Sequence, residues 1–156
     1  MATQMVNKWD SRFLSLAELI GGWSKDPSTK CGAVIVRPNR SVASVGFNGF
    51  PQGMDDREEW LFDRDEKYIR VVHAEVNALL FSREPVTGYA LYTWPFACCP
   101  RCAVQMIQAG IGRFIFPTIP ADKSDRWSEQ LEKTKTIYRE MGIEFIELLE
   151  ATDAGE

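Results

Sequence analysis

His73-Ala74-Glu75-Val76-Asn77-Ala78-Leu79-Leu80-Phe81, then Gly88-Tyr89-Ala90-Leu91-Tyr92-Thr93-Trp94, then Cys99-Pro100-Arg101-Cys102 read as a helix, a strand and the opening of a second helix. Val76, Ala78, Leu79 and Leu80 give the first helix, His73 to about Ser82, an apolar side. Pro100 suits the first position of the second helix, which runs to Ala109, with Gly110 as its stop signal. Upstream, apolar residues recur at three- and four-residue steps from Lys8 to about Trp23 (Trp9, Phe13, Leu16, Ala17, Ile20), one face of a helix that Gly21-Gly22 ends. Cys31 to Val36 and Ser41 to Phe47 are β-rich on either side of the turn signal Pro38-Asn39-Arg40, which predicts a hairpin. Asn48 to Val72 reads as a long loop with a short helix within Arg57–Arg64. Downstream come a strand over Arg113–Phe116, a helix over Ser124–Met141 closed by Gly142, and a strand over Ile143–Leu148. The order α-β-β-α-β-α-β-α-β predicts a three-layer α/β/α sandwich around a five-stranded mixed sheet.

The chain has 156 residues, 45% of them hydrophobic, with 22 acidic against 18 basic residues, four cysteines and one histidine. Such a length buries roughly two-thirds of the extended-chain surface without disulfide staples. The expectation is one domain over residues 1–150 and a disordered polar tail over 151–156. Neither a run of about 18 apolar residues nor a signal-like N-terminus is present, so no membrane partner and a reducing, cytoplasmic compartment are expected. A net charge of −4 argues against sequence-blind binding of a nucleic acid polymer, though not against one small phosphorylated ligand. With His73 the only histidine, any Ser-His or Cys-His pair must use it, and no metal site can have two histidine ligands.

His73-Ala74-Glu75 and Cys99-Pro100-Arg101-Cys102 both open helices. A catalytic zinc takes three protein ligands and leaves a position for water, and one histidine with two thiolates supplies three. If Cys99 caps its helix, both sulfurs can face one point. Glu75 can reach the bound water as a general acid/base without ligating the metal. Singly, each element has an ordinary reading. A histidine can be structural, a C-x-x-C can be a redox dithiol, and a first-turn glutamate can simply complement the helix dipole. A closed structural zinc site could recruit Cys98 or Cys31 as a fourth ligand. The combination His-x-Glu, strand, C-x-x-C is the signature of zinc-dependent nucleobase deaminases.

From about Lys8 to Leu148 the sequence resembles the deoxycytidylate (dCMP) deaminases of the cytidine deaminase-like superfamily. His73-Ala74-Glu75-Val76-Asn77-Ala78, Cys99-Pro100-Arg101-Cys102 and Gln108-Ala109-Gly110-Ile111 carry the likeness. Ser24 to Val36 and Gly46-Phe47-Asn48-Gly49-Phe50-Pro51, with Asp55-Asp56 after it, sharpen it toward dCMP. The resemblance implies zinc held by His73, Cys99 and Cys102, Glu75 shuttling protons while water activated at the metal attacks C4 of cytosine, and dUMP and ammonia as products. It implies that Asn48 contacts the sugar. It also implies a homo-oligomer, a hexamer in many members, activated by dCTP with Mg2+ and inhibited by dTTP at a site near Gly49, Phe50, Asp55 and Asp56. The acidic pair could equally cap the helix that follows.

The family pattern has proline where this chain has Cys98, and commonly valine where it has Cys31. Cys98 reads as a small hydrophobe and Cys31 as a buried strand thiol. For the 5′-phosphate, Ser24 and Lys25 in the loop before the first strand are the expected donors, with Lys25 and Lys30 as plain solvated charges the alternative. The excess of aromatic residues favours subunit interfaces. The function read from the sequence is therefore hydrolytic deamination of dCMP, supplying dUMP for thymidylate synthesis. Two alternatives stand beside it: the same chemistry on another or 5-substituted cytosine nucleotide, and a catalytically idle nucleotide sensor.

Overall fold

The computed structural model describes residues 7–148; the expected tail at 151–156 lies outside them. The chain runs α1 (Lys8–Gly21), β1 (Gly32–Val36), β2 (Val42–Phe47), α2 (Glu58–Leu61), α3 (Arg64–Tyr68), α4 (Ala74–Phe81), β3 (Ala90–Trp94), α5 (Pro100–Gln108), β4 (Arg113–Pro117), α6 (Ala121–Met141) and β5 (Glu144–Leu148). The strands form one sheet in the order β2-β1-β3-β4-β5. β1 is antiparallel to both β2 and β3, whereas β3, β4 and β5 are parallel, so the sheet is mixed as expected.

Strand alternation sorts the core into two layers. Ala33, Ile35, Leu91, Phe114 and Phe116 face α4, α5 and α6, which bring Ala74, Ala78, Ala103, Met106, Leu131 and Tyr138. Val34, Val36, Tyr92, Ile115 and Ile146 face α1, which brings Phe13, Leu14 and Ala17. Every residue of β1 is buried because both of its faces are covered. Asp10 of α1 is also fully buried. It accepts from the Tyr92 hydroxyl (2.7 Å) and, in a bidentate pair, from Nη1 and Nη2 of Arg113 (2.8 Å each). That network ties α1 to β3 and β4 with its charge compensated.

The structure differs from the sequence reading at three places. The loop 48–72 holds two short helices rather than one, because the Asp63 carboxylate accepts from the backbone N–H groups of Asp65 and Glu66 and starts α3. Asp55 and Asp56 do not cap α2. Its N-cap is Arg57, and Asp56 instead pairs with Lys25 at 2.8 Å. α6 begins three residues before Ser124, with Pro120 at its N-cap.

Two glycines let helices lie close on the sheet. A Cβ at Gly32 would stand 1.9 Å from the Ala17 carbonyl oxygen of α1, and one at Gly46 would stand 2.5 Å from both Ala74 O and Ala78 N of α4. Gly46 thus sets the height of the helix that His73 opens. Because its neighbours are backbone, no rotamer change relieves the overlap, and Gly46→Ala is expected to lower the unfolding free energy by about 3 kcal/mol. Urea denaturation measures this; a midpoint equal to that of the unsubstituted protein would show that α4 has room to retreat.

Candidate active site

His73 and Cys99 occupy matching positions, the N-caps of α4 and α5, with extended backbone (φ −68°, ψ 155° and φ −64°, ψ 160°). N-cap side chains ordinarily accept from the backbone N–H groups of their own helix. Neither of these does, so imidazole and thiol are free to point elsewhere. They point at each other. His73 Nδ1 lies 3.2 Å from Cys102 Sγ and 3.7 Å from Cys99 Sγ. A tetrahedral centre with ordinary zinc–nitrogen and zinc–sulfur bond lengths separates its N and S donors by about 3.6 Å, so this set fits a zinc ion. One carboxylate oxygen of Glu75 joins the group, all four donor atoms lying within 4.8 Å of one another.

Glu75 is buried in the first turn of α4. Burial holds its carboxyl above the ordinary range, with the His73 imidazole pulling the other way. Cys99 is drawn down to about 4, chiefly by the hydrogen bond that Cys102 offers, with His73 adding to it. Cys102 is pushed up by the same bond. His73 is raised, first by its hydrogen bond to Cys99.

The cluster opens into a cavity whose lining includes His73, Glu75 and Cys99. Trp94, Phe96 and Trp127 form aromatic wall, Phe96 and Trp127 packing with ring centroids 5.7 Å apart. Asn48 also lines the cavity. Its amide orientation is set by its partners: Oδ1 accepts from Cys31 N (2.8 Å), while Nδ2 donates to Thr29 O (2.9 Å) and, more weakly, to Asp26 Oδ2 (3.4 Å). Both amide hydrogens are committed, which leaves one lone pair on Oδ1 for a ligand donor.

The other residues singled out in the sequence are placed as follows. Ser24 is buried, but its hydroxyl is spent on the loop, donating to Asn48 O (2.8 Å) and accepting from Asp26 N (3.1 Å). Lys25 is exposed and paired with Asp56. Neither is part of the cavity lining, and Gly49, Phe50, Asp55 and Asp56 are not either. Cys31 is half-buried and lines the cavity, β1 beginning one residue later than expected, at Gly32. Cys98 is buried in the core. Neither Cys31 nor Cys98 belongs to the donor group, so a closed four-ligand site has no fourth cysteine in reach.

The sequence reading gave no role to Lys67, Asp26 and Arg126, which line the cavity together with Thr29 of the loop before β1. Lys67 Nζ donates to Asp26 Oδ1 at 3.1 Å, with side-chain exposures of only 8% and 9%. The same oxygen accepts from Ser28 N (2.8 Å) and Thr29 N (3.1 Å), so the ion pair holds the loop that wraps Asn48.

A mixed five-stranded sheet that brings one imidazole, two thiols and a buried carboxylate to adjacent helix N-termini has the form of a zinc deaminase. Comparisons with known proteins agree. Residues 7–118 match the family model of the cytidine and deoxycytidylate deaminase zinc-binding region. An uncharacterized deaminase from the luxG 3′ region of Aliivibrio fischeri is 41% identical over 140 residues, covering 90% of this chain and 93% of its own. The deoxycytidylate deaminase of Mus musculus is 34% identical over 146 residues, covering 88% of this chain and 78% of its own. The crystal structure of dCMP deaminase from cyanophage S-TIM5 with dCMP and dUMP superposes with a TM-score of 0.71 at 24% identity, over 93% of this chain and all of that one. The chain belongs to the cytidine and deoxycytidylate deaminase family, and it is an enzyme of that deaminase class.

Removing one member of a buried ion pair leaves the other charge uncompensated. Lys67→Met is therefore expected to destabilise the protein by about 3–5 kcal/mol, and Asp26→Asn in the same chain to restore part of that loss. Denaturant unfolding of the two variants checks it, and a Lys67→Met protein as stable as the parent would remove the ion pair from the account of the loop.

Proposed function

We propose that the protein hydrolyses dCMP to dUMP and ammonia, supplying dUMP for thymidylate synthesis. The observation that carries this reading is the buried Glu75 carboxylate beside the His73, Cys99 and Cys102 donors at the floor of one cavity. Deoxycytidylate deaminase is what the mouse and human relatives are named.

In this reading His73, Cys99 and Cys102 hold zinc, which when bound supplies the Lewis acid that makes water nucleophilic near neutral pH. Glu75 accepts a proton from the attacking water and delivers it to N3 of the cytosine ring. It then carries a second proton to the amino group at C4. The C4–N bond breaks, the C4–O bond is retained as the uracil carbonyl, and ammonia leaves. A carboxyl held above its ordinary range by burial is a stronger base than a solvated one, which suits a group that must first take a proton from water and hold it for transfer to the ring. Asn48, with one free lone pair, accepts from a sugar hydroxyl, and the aromatic wall encloses the base.

The finer points of the reading are these. Exposed Leu80 and Phe81 on α4 and Val104 on α5 support a homo-oligomer, a hexamer by likeness to the family. For dCTP with Mg2+ as activator and dTTP as inhibitor, the segment Gly49, Phe50, Asp55 and Asp56 offers a route to the site. Gly49 and Val72 exchange backbone hydrogen bonds of 3.1 and 2.8 Å, and Val72 directly precedes His73. A cytoplasmic setting is supported by four free cysteines. Among the described residues no helix is long and apolar enough to cross a membrane.

Ammonia release across dCMP, CMP, dCTP, deoxycytidine and 5-methyl-dCMP, with zinc measured on the same sample, tests the reading. dCMP is expected to be the best substrate, with its velocity curve steepening in dTTP and relaxing in dCTP. Glu75→Gln should retain zinc and lose about 10²–10⁴-fold in kcat, whereas Cys99→Ala should lose zinc and stability together. Near-normal turnover by the Glu75 variant would end the mechanism.

A further inference from the structure

The cavity is graded. At its floor Glu75, Ala74 and Thr93 are almost wholly buried, while at its rim Ser28, Tyr68 and Arg126 are exposed. A nucleotide whose base reacts at Glu75 must direct its other, anionic end toward that rim. Arg126, on the N-terminal part of α6, stands there. Its Nη1 donates to Ser28 Oγ (3.2 Å), its Nη2 donates to the Tyr68 hydroxyl (2.9 Å), and its guanidinium lies 5.1 Å from the centre of the Trp127 ring. Both hydrogen-bond partners are neutral, so the cationic charge is oriented but not cancelled, and three of its five N–H donors stay free.

Two further donors belong to chain neighbours of this group, Thr29 following Ser28 and Trp127 following Arg126. Thr29 Oγ1 and Trp127 Nε1 are each buried without a hydrogen-bond partner among the described residues, and both residues line the cavity. Buried donors left unpaired in the lining of one cavity call for a ligand that can accept from them. Lys123, one turn before Arg126, donates to Ser28 O at 2.8 Å and fastens α6 to the same loop.

Resting on the deaminase reading above, we propose that Arg126, Thr29 and the Trp127 indole N–H form the subsite that grips the 5′-phosphate of the nucleotide, with Ser28 and Tyr68 positioning the guanidinium. The phosphate-reading cation thus comes from α6 rather than from the loop before β1.

The test compares Arg126→Gln, Arg126→Lys and Thr29→Val with the parent and with Lys133→Gln, a charge control on the exposed part of the same helix. Calorimetric binding of dUMP and of deoxyuridine reads the subsite without turnover, and kcat/KM for dCMP and deoxycytidine reads it with turnover. Loss of a charge-assisted hydrogen bond is expected to weaken dUMP about 10–100-fold in Arg126→Gln, with partial recovery in Arg126→Lys. Thr29→Val should weaken dUMP several-fold, and Lys133→Gln should match the parent. Deoxyuridine affinity should stay constant throughout, so that the preference for dCMP over deoxycytidine collapses through KM. Unchanged dUMP affinity in Arg126→Gln, or equal losses for dUMP and deoxyuridine, would overturn the proposal. A parent protein that fails to deaminate dCMP would instead overturn the functional reading.

Discussion

The site depends on two helix N-termini being brought to one point. α4 and α5 flank β3 in sequence, and their N-cap residues, His73 and Cys99, supply donors to each other rather than to their own helices. An N-cap side chain that does not cap gives up about 1 kcal/mol of helix stability. That loss has to be met by tertiary packing, and the short, nearly uniformly apolar α4 is packed accordingly. Ala74 and Ala78 are fully buried, and Gly46 of β2 allows a backbone approach that no other residue would permit. Helix, strand and donor are therefore one mechanical unit, since moving α4 outward by the width of a methyl group would carry His73 and Glu75 away from the two sulfurs.

A second support comes from the loop between α1 and β1. Asp26 is its hub, accepting from two of the loop's own amides, from Lys67 and from Asn48. The Asn48 amide is thereby fixed in rotation, with Oδ1 toward Cys31 N. A positioned amide with one spare lone pair selects for a ligand donor at that point, where a freely rotating amide would accept either hydrogen-bond role.

Most of the fold was legible in the sequence because the fold is made of local periodicity. Phe13, Ala17 and Ile20 mark the buried side of α1, and the short apolar, β-rich runs within Ala90–Trp94 and Arg113–Pro117 mark buried strands, whatever lies far away in the chain. The donor set was legible for a related reason, its residues lying in two short runs that each open a helix. What was hidden depends on long-range proximity. Lys67 meets Asp26 across 41 positions, and Arg126 meets Ser28 across 98. Ser24 and Lys25 looked like phosphate donors because they carry the right groups near the right loop. A hydroxyl bonded to Asn48 O and an ammonium paired with Asp56 are engaged within the protein, and only the folded chain shows both commitments.

The charge pattern follows from the same distinction between paired and unpaired groups. An acidic chain of net charge −4 can still present a cation to an anionic ligand if its other basic groups are neutralised locally. Lys25 is held by Asp56, Arg37 by Glu84, Lys67 by Asp26 and Arg113 by Asp10. Arg126 is bonded instead to two hydroxyls, which orient it without offsetting its charge. A polymer of phosphates would meet an overall repulsive surface, while a single small anion entering the cavity meets one oriented guanidinium in a partly desolvated rim.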